Sequence, residues 1–211
     1  MKNEEVLERL AVDGWCLFRD AIPADQVDKV RETIMAEEAN QREEREAFLA
    51  ETRAHGHRVS AAGVGGVKGL ISTLPEVTSY FADERIMAAA GAIFGKYFRV
   101  STVGGLVNWP GTERGYWHSD WPYNQTVESH IPAPYPDTMM HLSSLWMVTS
   151  FNSVNGGTLI VPGTHRSPNN PSGENGVDRD APHPEEINLA GGPGDVVIYD
   201  SRLWHSVAEN N

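Results

Sequence analysis

Two histidines and one aspartate could together bind a metal ion in this chain. His118 and Asp120 lie two positions apart in the segment Trp117–Asp120, and His205 follows near the C-terminus. In an extended strand alternate side chains share a face, so the His118 imidazole and the Asp120 carboxylate can reach the same ion. A second histidine from a distant strand would complete a set of two histidines and one carboxylate. That set is typical of non-haem Fe(II) centres that activate oxygen.

The spacing alone is weak support for such a site. The chain has eight histidines and many acidic residues, so roughly one His-x-Asp/Glu triplet is expected by chance. A second triplet, His183–Glu185, lies in a stretch rich in Pro, Gly, Asp and Asn, which predicts a loop. Taken alone, His118 and Asp120 are as consistent with a solvated or hydrogen-bonded pair as with a metal site.

Composition narrows the classes of function. The length of 211 residues suits one domain. A net charge of -12 argues against nucleic acid or an anionic membrane as a partner, since both recruit Lys and Arg. The single cysteine, Cys16, lies in an apolar run and predicts a buried thiol in a reducing compartment. With no signal-peptide pattern and no apolar stretch of ~20 residues, we expect a cytoplasmic protein.

The first half of the sequence predicts mostly helices. A short helix is expected over residues 4–12, followed by a strand at Trp15–Phe18. Pro23 suits the first turn of a longer helix, which continues through the charged run Glu37–Glu51. The alanine-rich stretch Asp83–Phe94 predicts a further helix that packs on one side of a sheet.

The second half predicts strands. Short apolar runs alternate there with clusters of Pro, Gly, Asn and Asp, which is typical of an antiparallel sandwich or barrel. The expected strands are Phe98–Val107, Leu142–Phe151, Thr158–Val161, Val196–Tyr199 and Leu203–Val207. Helices first and strands afterwards favour an α+β domain in which the helices support a jelly roll.

Three segments are predicted to be loops. Ala61–Val67 is glycine-rich but lacks the setting and the Lys-Ser/Thr ending of a phosphate loop, so we interpret it as a flexible loop. Pro122–Asp137 and Arg166–Glu186 are longer than ordinary hairpin connections. Each is either a variable surface insertion or an element that covers the substrate.

Several motifs in a fixed order raise the metal site above a chance triplet. Asn108–Gly111 precedes Trp117–Asp120, the turn Asn155–Gly157 leads to a strand that ends in Pro162–His165, and Gly194-Asp195 leads through a strand to His205. In this order the motifs resemble the phytanoyl-CoA dioxygenase family of Fe(II)- and 2-oxoglutarate-dependent oxygenases. The resemblance spans nearly the whole chain.

The resemblance implies a double-stranded β-helix, which is a jelly roll, and a set of site residues. It implies that His118, Asp120 and His205 ligate Fe(II). It also implies that Asn108 hydrogen-bonds the cosubstrate 2-oxoglutarate and that Ser143 contacts it. The alternative for Asn108 and Ser143 is ordinary turn formation and strand capping. His165 follows the Pro-Gly-Thr turn, and the resemblance gives it a structural role or a place near the pocket, so it is left out of the ligand set.

One part of the family pattern is missing from the sequence. Family members place an arginine after the distal histidine, where it pairs with the far carboxylate of 2-oxoglutarate, whereas this sequence ends at Asn211. Arg202 precedes His205 at an odd offset, so in a strand it would face away from the ligand. We therefore expect a single domain over residues 1–211, helical in 1–95 and jelly roll in 96–211, that lacks its last strand through truncation. A cosubstrate held in another way is the alternative.

The resemblance implies hydroxylation of a C–H bond in a small organic molecule, with O2 consumed and succinate and CO2 released. Related halogenases replace the ligand carboxylate by a small residue, so Asp120 predicts hydroxylation rather than halogenation. The alternatives are a non-catalytic metal-binding jelly roll, an inactive fragment, or a cupin-type enzyme that does not use 2-oxoglutarate. The sequence identifies neither the substrate nor the oligomeric state.

Overall fold

The protein combines α-helices with antiparallel β-strands. The computed structural model describes residues 1–56, 59, 63–122, 133–171, 173 and 176–211. Its helices are α1 (Asn3–Val12), α2 (Ala24–Ala54), α3 (Leu70–Thr73), α4 (Thr78–Phe81) and α5 (Glu84–Phe94). Its strands are β1 (Trp15–Phe18), β2 (Val64–Val67), β3 (Gly105–Asn108), β4 (Leu142–Trp146), β5 (Thr158–Ile160), β6 (Ile187–Asn188), β7 (Val196–Asp200) and β8 (His205–Val207).

The strands form two three-stranded sheets and one separate pair, all antiparallel. The first sheet has the order β1-β7-β4 and the second has the order β6-β5-β8, while β2 pairs with β3. In the first sheet Ser143 lies opposite Tyr199. In the second sheet Ile160 lies opposite His205. These two registers fix Ser143 and Tyr199 as neighbours in the first sheet and fix the position of His205 in the second.

The first sheet is buried on both faces because apolar residues occupy successive positions in β7. Side chains alternate between the faces of a strand. One face packs against helices α1 and α5, in a cluster that contains Val6, Leu10, Cys16, Phe18, Ala89, Val196 and Ile198. The other face packs against the second sheet, in a cluster that contains Met147, Ile160, Leu189, Val197, Tyr199 and Leu203. The second cluster is the core of a two-sheet sandwich.

These contacts confirm the predicted α+β architecture, with helices packed on one sheet of a sandwich. The burial of Cys16 is confirmed as well. The division at residue 95 is not clean, because β1 belongs to the same sheet as β4 and β7. A strand from the helical part therefore completes the first sheet. Of the predicted strand Phe98–Val107, only the end from Gly105 is a strand.

The prediction of a flexible loop over Ala61–Val67 is wrong for its second half. Val64–Val67 forms β2, whose residues pair with β3 from Asn108 to Gly105, while Ala61 and Ala62 lie outside the described residues. The two glycines of this strand allow α2 to approach closely. A Cβ atom on Gly65 would lie 2.6 Å from the Glu38 Oε1 atom. A glycine-rich sequence here therefore reflects tight packing rather than mobility.

Helix α2 is long and charged. Its 31 residues bury Val27, Val30 and Glu38, and the Glu38 carboxylate is paired with Arg42 at 2.6 Å. Its length would be sufficient for a membrane span, but its many charged side chains make it too polar. None of the helices in the described ranges combines the length and the apolar character that a bilayer crossing requires.

Candidate metal centre

The backbone brings His118 and His205 side by side. The two residues form an isolated antiparallel bridge. The His118 amide donates to the His205 carbonyl at 3.0 Å, and the His205 amide donates to the His118 carbonyl at 2.9 Å. Residues directly opposite each other in an antiparallel pair point their side chains to the same face. The two imidazole rings therefore lie together, with their centroids 4.1 Å apart.

Asp120 joins the two histidines because Ser201 holds the backbone next to it. The Ser201 carbonyl accepts hydrogen bonds from the amides of Asp120 at 2.8 Å and Trp121 at 3.0 Å. The Asp120 Oδ1 atom then lies 3.9 Å from His118 Nε2 and 3.5 Å from His205 Nε2. One donor atom from each of the three residues lies within 4.8 Å of the others. The three side chains are therefore a candidate ligand set for one metal ion.

Hydrogen bonds to the backbone fix the tautomer of both histidines. His118 Nδ1 lies 3.1 Å from the Tyr116 carbonyl, and His205 Nδ1 lies 2.9 Å from the Leu203 carbonyl. A carbonyl oxygen can only accept, so each Nδ1 must carry the proton and donate it. In the neutral form of each ring, Nε2 then carries the lone pair, and both Nε2 atoms face Asp120 Oδ1. This arrangement is the usual one for histidines that bind a metal through Nε2.

The two oxygens of Asp120 have different surroundings. Oδ2 accepts a hydrogen bond from the Ser143 hydroxyl at 2.9 Å and another from the Tyr199 hydroxyl at 2.9 Å. Burial, followed by the negative charge of Asp120, raises the pKa of Tyr199 well above its usual value, so the phenol keeps its proton. Oδ1 is the oxygen that faces the histidines. The protein thus fixes the carboxylate through Oδ2 and leaves Oδ1 available to a metal.

The pKa values follow from this close packing. Desolvation, and then the charge of His205, lowers the pKa of His118 to about 4, so its imidazole is neutral near pH 7. Burial alone would lower the pKa of His205, but the Asp120 carboxylate outweighs burial and raises it. Burial alone would raise the pKa of Asp120, but the charge and hydrogen bond of His205 lower it. Asp120 is therefore a carboxylate, the form that binds metals.

The donor set fits a non-haem iron. Two imidazole nitrogens and one carboxylate oxygen on one face leave the remaining positions of a metal open for other ligands. His205, whose pKa Asp120 raises, would give up its Nε2 proton when a metal binds. The Asp120 and His118 side chains are 31% and 23% exposed, whereas that of His205 is 9% exposed. A ligand can therefore approach from the side of Asp120 and His118, while His205 is covered by protein.

Part of the predicted loop Arg166–Glu186 lies beside this group. The Trp117 amide donates to the Arg179 carbonyl at 2.9 Å, and the Trp117 indole donates to the Ala181 carbonyl at 2.9 Å. The Arg179 guanidinium lies over the Tyr116 ring. This loop is therefore packed along the segment that carries His118. Residues 172, 174 and 175 of it, and residues 123–132 of the loop Pro122–Asp137, lie outside the described residues.

Of the two predicted cosubstrate residues, Ser143 contacts a candidate metal ligand, and Asn108 contacts two turns. Ser143 contacts Asp120 directly. The Asn108 side-chain amide donates to the Gly156 backbone carbonyl at 2.6 Å. The backbone carbonyl of Asn108 accepts a hydrogen bond from the Asn210 side chain at 2.7 Å. These contacts match turn bracing, the alternative interpretation, and the contact of Asn108 with 2-oxoglutarate stays a prediction.

The residues excluded from the site by the sequence also lie where expected. His165 is 2% exposed, and its Nε2 donates to the Ala11 carbonyl at 3.2 Å, which ties α1 to the sandwich. Arg202 makes a buried pair with Asp200 at 2.7 Å. His183–Glu185 lies outside the strands, as predicted. None of these residues belongs to the candidate ligand group found among the described residues.

Two residues at the centre were missed by the sequence analysis. Tyr199 was predicted only as part of an apolar strand, and Ser201 was not singled out. The available signal was weak: a phenol at an inward position near the end of β7, followed by a serine. Their importance depends on the register between β7 and β4, which the sequence does not specify.

The chain matches a known protein family over nearly its whole length. The family model described as phytanoyl-CoA dioxygenase (PhyH) matches residues 10–211. Among curated proteins, dioxygenase af480 of Aspergillus fumigatus is 29% identical over 144 residues. That match covers 65% of this chain and 42% of af480, so the chain corresponds to less than half of that relative.

Solved structures show the same fold at low sequence identity. EctD from S. alaskensis, solved with 2-oxoglutarate and 5-hydroxyectoine, has a TM-score of 0.64 and 19% identity, over 100% of this chain and 71% of EctD. HygX from Streptomyces hygroscopicus, solved with nickel and 2-oxoglutarate, has a TM-score of 0.65 and 12% identity, over 100% of this chain and 82% of HygX. The carbocyclase SnoK from nogalamycin biosynthesis has a TM-score of 0.64 and 18% identity, over 100% of this chain and 80% of SnoK.

Proposed function

The chain belongs to the phytanoyl-CoA dioxygenase family, and on this basis we propose that it is an Fe(II)- and 2-oxoglutarate-dependent oxygenase. His118, Asp120 and His205 are the proposed iron ligands. One observation carries the proposal: the three donor atoms lie together, and each residue's other polar atom is engaged by the protein. Such engagement orients the ligands of a metal centre.

The proposed reaction is hydroxylation of a C–H bond in a small organic molecule. When bound, iron, 2-oxoglutarate and O2 supply the oxidising chemistry, and succinate and CO2 are released. The carboxylate at Asp120 favours hydroxylation over halogenation. EctD and HygX were solved with 5-hydroxyectoine and hygromycin B, which supports a small polar molecule as the substrate class.

The chain's own residues orient and shield the centre. The Tyr116 and Leu203 carbonyls hold the two imidazoles through Nδ1. Tyr199 and Ser143 hold Asp120 Oδ2, so that Oδ1 faces the metal position. Trp117 and Trp204, which precede the two histidines in sequence, are buried together in a cluster with Leu159, Val161 and Ala208. Asn108 and Ser143 remain the proposed contacts for 2-oxoglutarate, and of the two Ser143 contacts Asp120 directly.

Conversion of 2-oxoglutarate to succinate tests the proposal without knowledge of the substrate. The purified protein is incubated with Fe(II), ascorbate, O2 and 2-oxoglutarate, and succinate is measured by chromatography. We expect iron-dependent succinate in the wild type and none above background in Asp120→Ala. The exposed carboxylate of the other triplet is the matched control, and Glu185→Ala should keep the wild-type rate.

Two results would contradict the proposal. Iron-dependent succinate at the wild-type rate in Asp120→Ala would mean that the reaction takes place elsewhere. Iron binding without succinate in the wild type would favour a non-catalytic metal-binding protein.

A further inference from the structure

A chain of hydrogen bonds runs from Asp120 to a histidine that the sequence left unassigned. The Ser143 hydroxyl lies 2.9 Å from Asp120 Oδ2. The same hydroxyl lies 2.7 Å from the Ser201 hydroxyl, and the Ser201 hydroxyl lies 2.6 Å from His141 Nδ1. Three consecutive contacts therefore connect His141 to the carboxylate.

Counting protons fixes the direction of this chain. Asp120 is ionised and only accepts, and each serine hydroxyl has a single proton to donate. Three contacts need three protons, and the two hydroxyls supply two. The third must come from His141 Nδ1. His141 therefore donates to Ser201, Ser201 donates to Ser143, and Ser143 donates to Asp120.

The backbone holds the same residues in place. The Ser201 amide donates to the His141 carbonyl at 3.2 Å, and the Ser201 carbonyl accepts from the amide of Asp120. Ser201 is fully buried. Its main chain thus joins the start of β4 to the segment that carries Asp120, and its side chain connects the same two elements.

We propose that His141 is a positioning residue for the metal centre, acting through Ser201 and Ser143 on the Asp120 carboxylate. The inference rests on the proposed function, because it concerns the ligand geometry of that site. Hydrogen bonds in series polarise one another in a protein interior. The proton donated by His141 strengthens the bond from Ser143 to Oδ2 and keeps Oδ1 turned toward the two histidines.

A pair of near-isosteric variants tests this role. Asparagine keeps an N–H donor near the position of Nδ1, whereas leucine has a similar volume and no donor. We expect His141→Leu to weaken Co(II) binding about 10-fold, in the range found for outer hydrogen-bond partners of metal ligands. His141→Asn should restore the affinity to within about 3-fold of the wild type. Co(II) binding is measured anaerobically, by visible absorption, with the metal alone.

A neighbouring serine provides the control. The Ser144 side chain is exposed on the opposite face of β4, where it accepts a hydrogen bond from the Trp146 indole at 3.0 Å. Ser144→Ala should bind Co(II) as the wild type does. Melting of the metal-free proteins by circular dichroism confirms that each variant is folded, and His141→Ala takes the place of His141→Leu should the latter not fold.

The outcomes separate this inference from the proposed function. Absence of Co(II) binding by the folded wild type would contradict the metal site itself, and the inference with it. Equal affinity of the wild type, His141→Leu and His141→Asn would overturn the inference and leave the proposed function intact. Equal loss in both variants would also overturn it, because the imidazole and not its donated proton would then be required.

Discussion

The two oxygens of the Asp120 carboxylate have different roles: Oδ2 fixes the side chain, and Oδ1 is placed to bind a metal. Tyr199 and Ser143 occupy Oδ2, while Oδ1 faces the Nε2 atoms of His118 and His205. Spacing in the sequence predicted that His118 and Asp120 could reach one ion. It could not predict which oxygen would do so, because the hydroxyl donors come from strands distant in the chain.

Removal of the Tyr199 hydroxyl should weaken metal binding. Tyr199→Phe keeps the ring, which is 5% exposed in the core between the sheets, and deletes one of the two donors to Oδ2. We expect Co(II) affinity to fall about 10–100-fold, as for other outer-shell partners. Titration of Co(II) followed by visible absorption measures it.

Tyr97→Phe is the control for this measurement, because Tyr97 is 81% exposed. Unchanged affinity in Tyr199→Phe would mean that Ser143 alone is sufficient to hold Asp120.

Individual residues were predictable where their type is unusual. Three side chains that could bind a metal lie in family motifs visible in the sequence, and the structure brings His118, Asp120 and His205 together. Asn108 was less predictable, because an asparagine before Pro-Gly is suited to ligand binding and to turn bracing alike. Its contacts with Gly156 and Asn210 are set by the packing of two turns, which leaves no periodic signal.

At the scale of elements, the buried side chain of His165 packs against the turn between α1 and β1 and restricts the residue type at Gly14. Gly14 has a φ of +85°, a conformation that costs a residue with a Cβ about 1–2 kcal/mol. A Cβ atom there would lie 2.5 Å from His165 Nδ1 and 2.9 Å from His165 Cγ. His165 is buried, so it has little room to move.

Gly14→Ala should therefore destabilise the protein by about 2–4 kcal/mol, since backbone strain and overpacking add. Gly56→Ala is a matched control, because Gly56 has a φ of +81° with no atom within 4 Å of its Cβ position. Gly56→Ala should lower the free energy of unfolding by only about 1–2 kcal/mol, from backbone strain alone. Urea unfolding measures both. Equal losses would show that the contact with His165 has no energetic role.

Elements were predictable where their periodicity is strong. Helices α1, α2 and α5 and strands β1, β4, β5 and β7 all lie within predicted segments or overlap them. Strand β2 was not predictable, because glycine disfavours strands. Its glycines are required by the approach of α2, which brings Glu38 to Gly65 and Arg45 to Gly66. Local sequence does not encode this contact between elements.

At the scale of the whole molecule, helices and strands share their cores. One cluster joins α1 and α5 to β1 and β7. Another joins α2, β2 and α3. Trp146 of β4 packs against both clusters. A single domain over residues 1–211 stays a prediction, and the packing of Trp146 against both clusters is the contact that favours it.

A single domain should unfold in one transition. Far-UV circular dichroism follows the helices, whereas tryptophan fluorescence follows the strand-rich part, because the tryptophans are Trp15, Trp109, Trp117, Trp121, Trp146 and Trp204. We expect the two probes to give the same midpoint on heating. Two separated midpoints would show that the helical and strand-rich parts are independent domains.

His118, Asp120 and His205 are proposed to hold an iron that binds 2-oxoglutarate. Anaerobic visible absorption follows both binding steps at once, because a charge-transfer band between Fe(II) and 2-oxoglutarate requires both to be bound together. We expect a band in the wild type that needs both components, persists in Glu185→Ala and disappears in His118→Ala. A band of full intensity in His118→Ala, or no band in a folded wild type given both components, would contradict the proposed ligand set.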